Sequence, residues 1–396
     1  MSQFAHLNLR ATFVLSFLAL IPLEKILQFA AKQSVLYLGH TVGDLVTITA
    51  MNAVEAILAI LLLLRGCELK LLQATITGVI ILHLLLAPGV AFAAGGAHLS
   101  SQRLHESQTQ MNQTMMTMGV MCLVLPAAFY AGVKRVGVPN LGEVITPYNR
   151  DIILQMSRGM AIIMLLSYIA SRIYALNPPG DEIKGDDYAA TGGDEAFEHE
   201  EERIKKEIPK ISPLFCLILL FVLIASIAIT AEGLVHSIDF VKENSIIQEE
   251  WFGLILIPLV SFSGDGLVTF SSLIRRAVFR EPKALHKLAD AQPIDLSIQF
   301  LLFWTPVLVL ISWGVGKSLP LLFDIFEVAI LVGACFVVNY VTADGKTTVH
   351  EGVTMICFYV VIALVAWYYP GQEYMEYFYP CIGRMHEGGI AVKSHH

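Results

Sequence analysis

Apolar residues run in blocks of roughly 20 along almost the whole chain, parted by short polar stretches. The blocks fall at 11–30, 38–64, 71–94, 114–132, 152–174, 213–232, 251–273, 295–316, 323–342 and 351–369. A helix needs about 20 predominantly apolar residues to cross a bilayer core, so the pattern predicts about ten transmembrane helices in an all-α integral membrane protein. The first block has no clear small-residue cleavage site and further spans follow it, so it reads as a span rather than a removable signal.

The longest break in this pattern lies in the middle. It opens on Pro178-Pro179-Gly180, which cannot continue a helix, and goes on through Asp181, Glu182, Asp186 and Asp187 to Asp194, Glu195, Glu198, Glu200, Glu201 and Glu202. Nothing there can form a core, so it is a solvated acidic linker. The expected organisation is a first five-span repeat at 1–176, the linker at 177–212, a second five-span repeat at 213–370 and a polar tail at 371–396. A block of five spans reverses its direction across the membrane, so two of them make an inverted repeat, with the substrate site near the midplane between the halves. Arg275, Arg276, Arg280, Lys283 and Lys287 lie in the loop on the linker's side, which the positive-inside bias assigns to the cytoplasm. Arg65, Lys70, Lys134, Arg135 and Arg150 pull weakly the other way.

Composition agrees with the span pattern. Hydrophobic residues make up 55% of the chain and charged residues 15%, with a mean hydropathy of +0.64, far from the average soluble domain. The net charge of −8 is concentrated in the linker and says little about partners. Nucleic-acid binding, a Gly-rich phosphate cradle and a nucleotide-driven pump find no motif here. The six cysteines are scattered without metal-ligand spacing and read as free thiols. No cofactor is expected.

Two polar stretches interrupt the apolar blocks where chemistry would sit. One is Met51-Asn52-Ala53-Val54-Glu55 and the other Ser261-Phe262-Ser263-Gly264-Asp265-Gly266. A mid-span carboxylate costs roughly 3 kcal/mol even on lenient insertion scales and is a functional-site candidate by default. Asn52 and Glu55 are three apart and share a helix face, so an amide and a carboxylate converge. Asp265 and Gln299 would supply opposing oxygens, and Ca²⁺ takes roughly 6–8 such ligands. Each has a plainer reading: Asn52 and Glu55 as a structural contact between helices, His83 as a satisfied hydrogen-bond donor, Asp265 as a solvated residue at a helix break.

The ordered series of motifs resembles the calcium/proton exchangers of the cation/calcium exchanger superfamily. It includes Phe17-Leu18-Ala19-Leu20-Ile21-Pro22-Leu23, Gln73-Ala74 with Gly78, Leu125-Pro126-Ala127-Ala128-Phe129, and Ser157-Arg158-Gly159-Met160-Ala161. Downstream it continues with Gly253-Leu254-Ile255-Leu256-Ile257-Pro258, Ser297-Ile298-Gln299 and Phe323-Asp324-Ile325-Phe326-Glu327. The family usually has an extra first span, and this chain is expected to begin after it. The resemblance implies antiport of a cation, Ca²⁺ or another, against protons, with Asn52, Glu55, Asp265 and Gln299 as ligands and Glu55, Asp265 and His83 as ion- or proton-carrying groups. A vacuole-type endomembrane is implied by the resemblance alone.

Departures from the family pattern lower the oxygen count. Met51 replaces a small residue, Phe262 an asparagine, Asp265 a glutamate and Gly266 a histidine. Lys32 stands where the family tends to carry Glu, Glu232 keeps the corresponding acid in the second half, and Asp295 replaces a small residue. Three readings follow: a cation/proton antiporter of altered selectivity; an exchanger scaffold repurposed to hold a hydrophobic small molecule as an acid–base isomerase or cyclase; or a non-transporting membrane regulator.

Overall fold

The apolar blocks fold as helices because no open structure satisfies every backbone N–H and C=O inside a bilayer. The computed structural model describes residues 9–38, 40–65, 68–96, 101–104, 106–135, 147–176, 210–243, 247–260, 262 and 292–371. The first half contains α1 (Leu9–Leu38), α2 (His40–Met51), α3 (Ala53–Arg65), α4 (Leu69–Ile81), α5 (Ala87–Gly96), α6 (Glu106–Arg135) and α7 (Pro147–Leu176). The second contains α8 (Pro213–Glu243), α9 (Glu249–Trp251), α10 (Gln292–Gln299), α11 (Thr305–Gly314), α12 (Ile325–Val341) and α13 (Val349–Trp367). The two-residue strands β1 (Gln102–Arg103) and β2 (Lys346–Thr347) pair antiparallel, with Gln102 opposite Thr347.

Among the described residues seven helical runs are long and apolar enough to cross a membrane, and α2 with α3 makes an eighth if counted as one span bent by 55°. α12 is apolar but has 17 residues, and the run that starts at α9 passes out of the described residues. The fold is that of a nearly all-helical, multi-pass membrane protein, with which ten spans are compatible. Most of the acidic linker (177–209) and the tail from 372 onward lie outside the described residues. α1 runs on to Leu38, past the predicted end at 30, because Gln33 is buried there and accepts a hydrogen bond from the backbone of Lys210 (2.8 Å).

Two runs form the centre. The windows of α4–α5 and α10–α11 are 78% and 72% buried, whereas those of α1, α6, α7, α8 and α13 lie between 22% and 33% and turn residues such as Leu166, Leu217 and Phe221 outward. Each central run passes through a π turn, at Leu82–Leu86 and at Phe300–Trp304, and a third follows α9 at Phe252–Leu256. A proline stands two residues beyond each: Pro88, Pro306 and Pro258. Proline has no N–H and its ring clashes with the carbonyl four residues back. In all three cases that carbonyl (Leu84, Leu302, Leu254) lies inside the widened turn, which relieves the clash.

The freed Leu254 carbonyl lies against Gly78. A Cβ added at Gly78 would come within 2.7 Å of the Leu254 carbonyl carbon and of Pro258 Cγ, and one at Gly253 within 2.7 Å of Ala74 Cβ. Small residues thus let α4 and the Phe252–Leu256 turn meet backbone to backbone.

Helix starts are pinned by reciprocal caps. The Thr348 hydroxyl accepts from Glu351 N (3.3 Å) while Glu351 Oε2 accepts from Thr348 N (2.7 Å), and Asp324 with Glu327 does the same for α12. Thr348→Ala is expected to cost about 1 kcal/mol, read as a lower melting temperature of the detergent-solubilised chain. An unchanged melting curve would refute the capping role.

Candidate functional site

Asn52 falls between α2 and α3, where the continuous apolar block 38–64 bends by 55°. The backbone stays bonded through the bend, from Asn52 N to Ile48 O (3.2 Å) and from Ala56 N to Asn52 O (2.9 Å). The Thr49 hydroxyl donates back to Leu45 O (2.7 Å), a contact that bends helices. Asn52 therefore stands at the break and Glu55 just beyond it, in the first turn of α3, at the positive end of its dipole.

The Asn52 side chain joins the two halves of the chain. Its Nδ2 donates to Gln299 Oε1 (2.7 Å) and to Leu296 O (3.1 Å), and Gln299 Nε2 donates to the Thr49 hydroxyl (2.9 Å). Asn52 is wholly buried and its Oδ1 has no hydrogen-bond partner. A free amide oxygen in a dry interior is costly, and it is the kind of ligand a hard cation takes.

One turn from Asn52, the buried Glu55 places Oε1 3.8 Å from Nε2 of His83, which stands in the π turn of the central run. One turn before Gln299, the buried Asp295 accepts from Asn112 Nδ2 (2.8 Å) and Gln108 Nε2 (2.9 Å), both on α6. Amide donors, not a cationic side chain, meet the Asp295 charge in these bonds.

The structure thus brings Asn52, Glu55, His83, Asp295 and Gln299 to the packed centre. Two residues singled out by the sequence are not brought there. Lys32 is exposed, because the buried stripe of α1 runs through Leu20, Glu24, Leu27, Ala31 and Ser34, and residue 32 lies on another face. Glu232 is likewise exposed beside the buried stripe Ile227, Ala231, Leu234 and Ile238 of α8. Asp265 lies outside the described residues, while Phe262 is half-buried and packs on the core.

The structure adds Glu24, a buried carboxylate in the middle of α1 that the motifs do not include. The rule that singles out Glu55, a carboxylate inside an apolar block, is the signal that could have found it. Among the described residues no group of three or more His, Cys, Asp or Glu side chains is placed to hold a metal ion, so the oxygens on view are largely amide and hydroxyl.

Residues 215–368 match the family model described as sodium/calcium exchanger protein. A vacuolar calcium ion transporter of Cryptococcus neoformans is 28% identical across 91% of this chain and 69% of its own. One of Schizosaccharomyces pombe is also 28% identical, across 92% of this chain and 80% of its own. The solved structure of native YfkE covers 92% of this chain and 94% of its own, with a TM-score of 0.65 and 23% identity, a likeness of fold.

Proposed function

We infer that this chain, a divergent member of the calcium/proton exchanger family, is a cation/proton antiporter spanning an endomembrane such as that of the vacuole. Ca²⁺ is the cation we propose. The observation that carries the reading is Asn52: a buried amide at the break of a bent span, bonded to Gln299 of the other half, with a free oxygen one turn from Glu55. Broken spans at the midplane are where secondary transporters hold their ions. Asn52 and Gln299 would supply neutral oxygens, and Glu55 would exchange a proton for the cation. In this reading Asp265 completes the ligand set from the second half, and Asp295 steadies α10 against α6.

We also propose that 1–176 and 213–370 are inverted repeats joined by the 177–212 linker. The matched π turns at Leu82–Leu86 and Phe300–Trp304, each followed by a proline at the same distance, support this. The relatives above are named as transporters, which weighs for transport over the repurposed-scaffold and regulator readings.

The test is uptake into vesicles containing the purified chain, driven by a pH jump, with Ca²⁺ compared against Mg²⁺, Mn²⁺, Na⁺ and K⁺. Proton-driven Ca²⁺ uptake is the expected result, and no flux of any cation would overturn the reading. Phe262→Asn is expected to tighten Ca²⁺ binding about tenfold by returning an oxygen ligand to the second half. An unchanged affinity would remove Phe262 from the site.

A further inference from the structure

We propose that Glu24, in the middle of α1, is a second proton-carrying carboxylate of the exchange site, working beside Glu55. The inference rests on the antiport reading above and adds a residue that neither the motifs nor the polar network around Asn52 assigned.

Glu24 is 3% exposed and lies on the stripe that α1 turns into the bundle. Its Oε1 accepts from Gln28 Nε2 (3.0 Å), and Gln28 Oε1 accepts in turn from Lys25 Nζ (3.2 Å). These two contacts fix the carboxyl group and link it through the Gln28 amide to Lys25, whose charge acts on it. Oε2 is buried with no hydrogen-bond partner. A carboxylate left in this state is strongly disfavoured in a dry interior.

Depth places Glu24 beside Glu55. α1 and α2 are packed side by side and run antiparallel, and the Thr47 hydroxyl meets Ala31 O across them (3.4 Å). Seven residues back along α1 reaches Glu24, and seven onward from Thr47 reaches Val54, next to Glu55. Five of those seven steps precede the bend at Asn52, so the two carboxylates lie close to one level. Their charges act on each other.

Beyond Lys25, the charged groups described around Glu24 are exposed or engaged elsewhere. On α1 itself Lys32 is exposed. α8 packs along α1 with Gly233 against Ser16 and Cys216 against Ala30, which brings the apolar Leu223 and Ile227 to the level of Glu24. The charged or titratable Glu232 and His236 of α8 are exposed. His83 stands against Glu55.

Two species relieve a buried bare oxygen next to a second carboxylate: a proton or a cation. These are the two species an antiporter exchanges. Proton binding forms one O–H bond on Glu24 Oε2, and cation arrival releases that proton as the carboxylate reforms. No other bond changes.

The experiment uses the full chain in vesicles and follows Ca²⁺ uptake against pH for the wild type, Glu24→Gln and Glu24→Asp. Glu24→Gln is expected to lower proton-driven uptake about tenfold and to flatten its pH dependence, with Glu24→Asp restoring part of both. Glu24→Gln uptake with the wild-type rate and pH profile overturns the proposal. If Glu24→Gln does not purify as a folded species, Glu24→Asp decides: a displaced pH profile supports the role and an unchanged one overturns it. If the wild type moves no cation, the antiport reading fails, and infrared titration of the wild-type chain tests Glu24 separately. A pH-dependent carboxylic-acid C=O band that disappears in the Glu24 variant supports proton carriage, and a spectrum the variant leaves unchanged overturns it.

Discussion

Glu55→Gln is expected to cut proton-driven Ca²⁺ uptake by about 100-fold while the chain remains folded and monodisperse, a loss equivalent to about 2.7 kcal/mol. The substitution keeps the size of the side chain and its capacity to hydrogen-bond near His83, and it removes only the titrating charge. The magnitude is that of losing one charged contact to the exchanged ion in a desolvated site. Glu55 is buried in the first turn of α3, one turn beyond the break at Asn52, so the substitution removes its titrating group without moving the helix. Uptake within twofold of the wild type, a change of about 0.4 kcal/mol, would mean that Glu55 is a packing residue.

The second large effect is structural. Gly78→Ala is expected to destabilise the chain by about 2–3 kcal/mol, because the new Cβ meets backbone rather than a side chain that can rotate away. Leu254 and Pro258 stand in its path. Neither yields easily, since Pro258 fixes the π turn at Phe252–Leu256 that brings the Leu254 carbonyl forward. The helices must separate, and the nearby Gly253–Ala74 packing opens with them. Thermal unfolding in detergent reads this out, with Gly159→Ala as a control, since nothing stands within 4 Å of a Cβ there. Equal melting temperatures for the two variants would show that the crossing has slack.

The helical, membrane-spanning type of the blocks is legible in the sequence because bilayer thickness and backbone satisfaction leave few choices once the apolar blocks are seen. The break at Asn52 is not, since the block 38–64 runs through it with only scattered polar residues and the bend depends on local hydrogen bonds. The exposed position of Lys32 is legible only in part: a block apolar on most faces hides which stripe turns inward, and the buried Glu24 and Gln28 settle it. Gln299 reads from sequence as a partner of the first half, and its bonds to Asn52 and Thr49 put it there. Asp295 stands out as an acid where the family pattern has a small residue, whereas Gln108 and Asn112, which hold it, carry no signal of their own in the sequence.

The π turns also set the angular phase of the central spans. An α-helix advances about 100° per residue, and the wider turn at Leu82–Leu86 inserts roughly one such step. A helical wheel drawn straight through residues 69–96 therefore assigns α5 a face about a quarter-turn away from its true one, and the same slip separates α11 from α10 at Phe300–Trp304. Cross-links or spin labels placed on these spans must be phased separately on each side of the π turns before Pro88 and Pro306, or they will point at lipid where they were meant to point into the bundle.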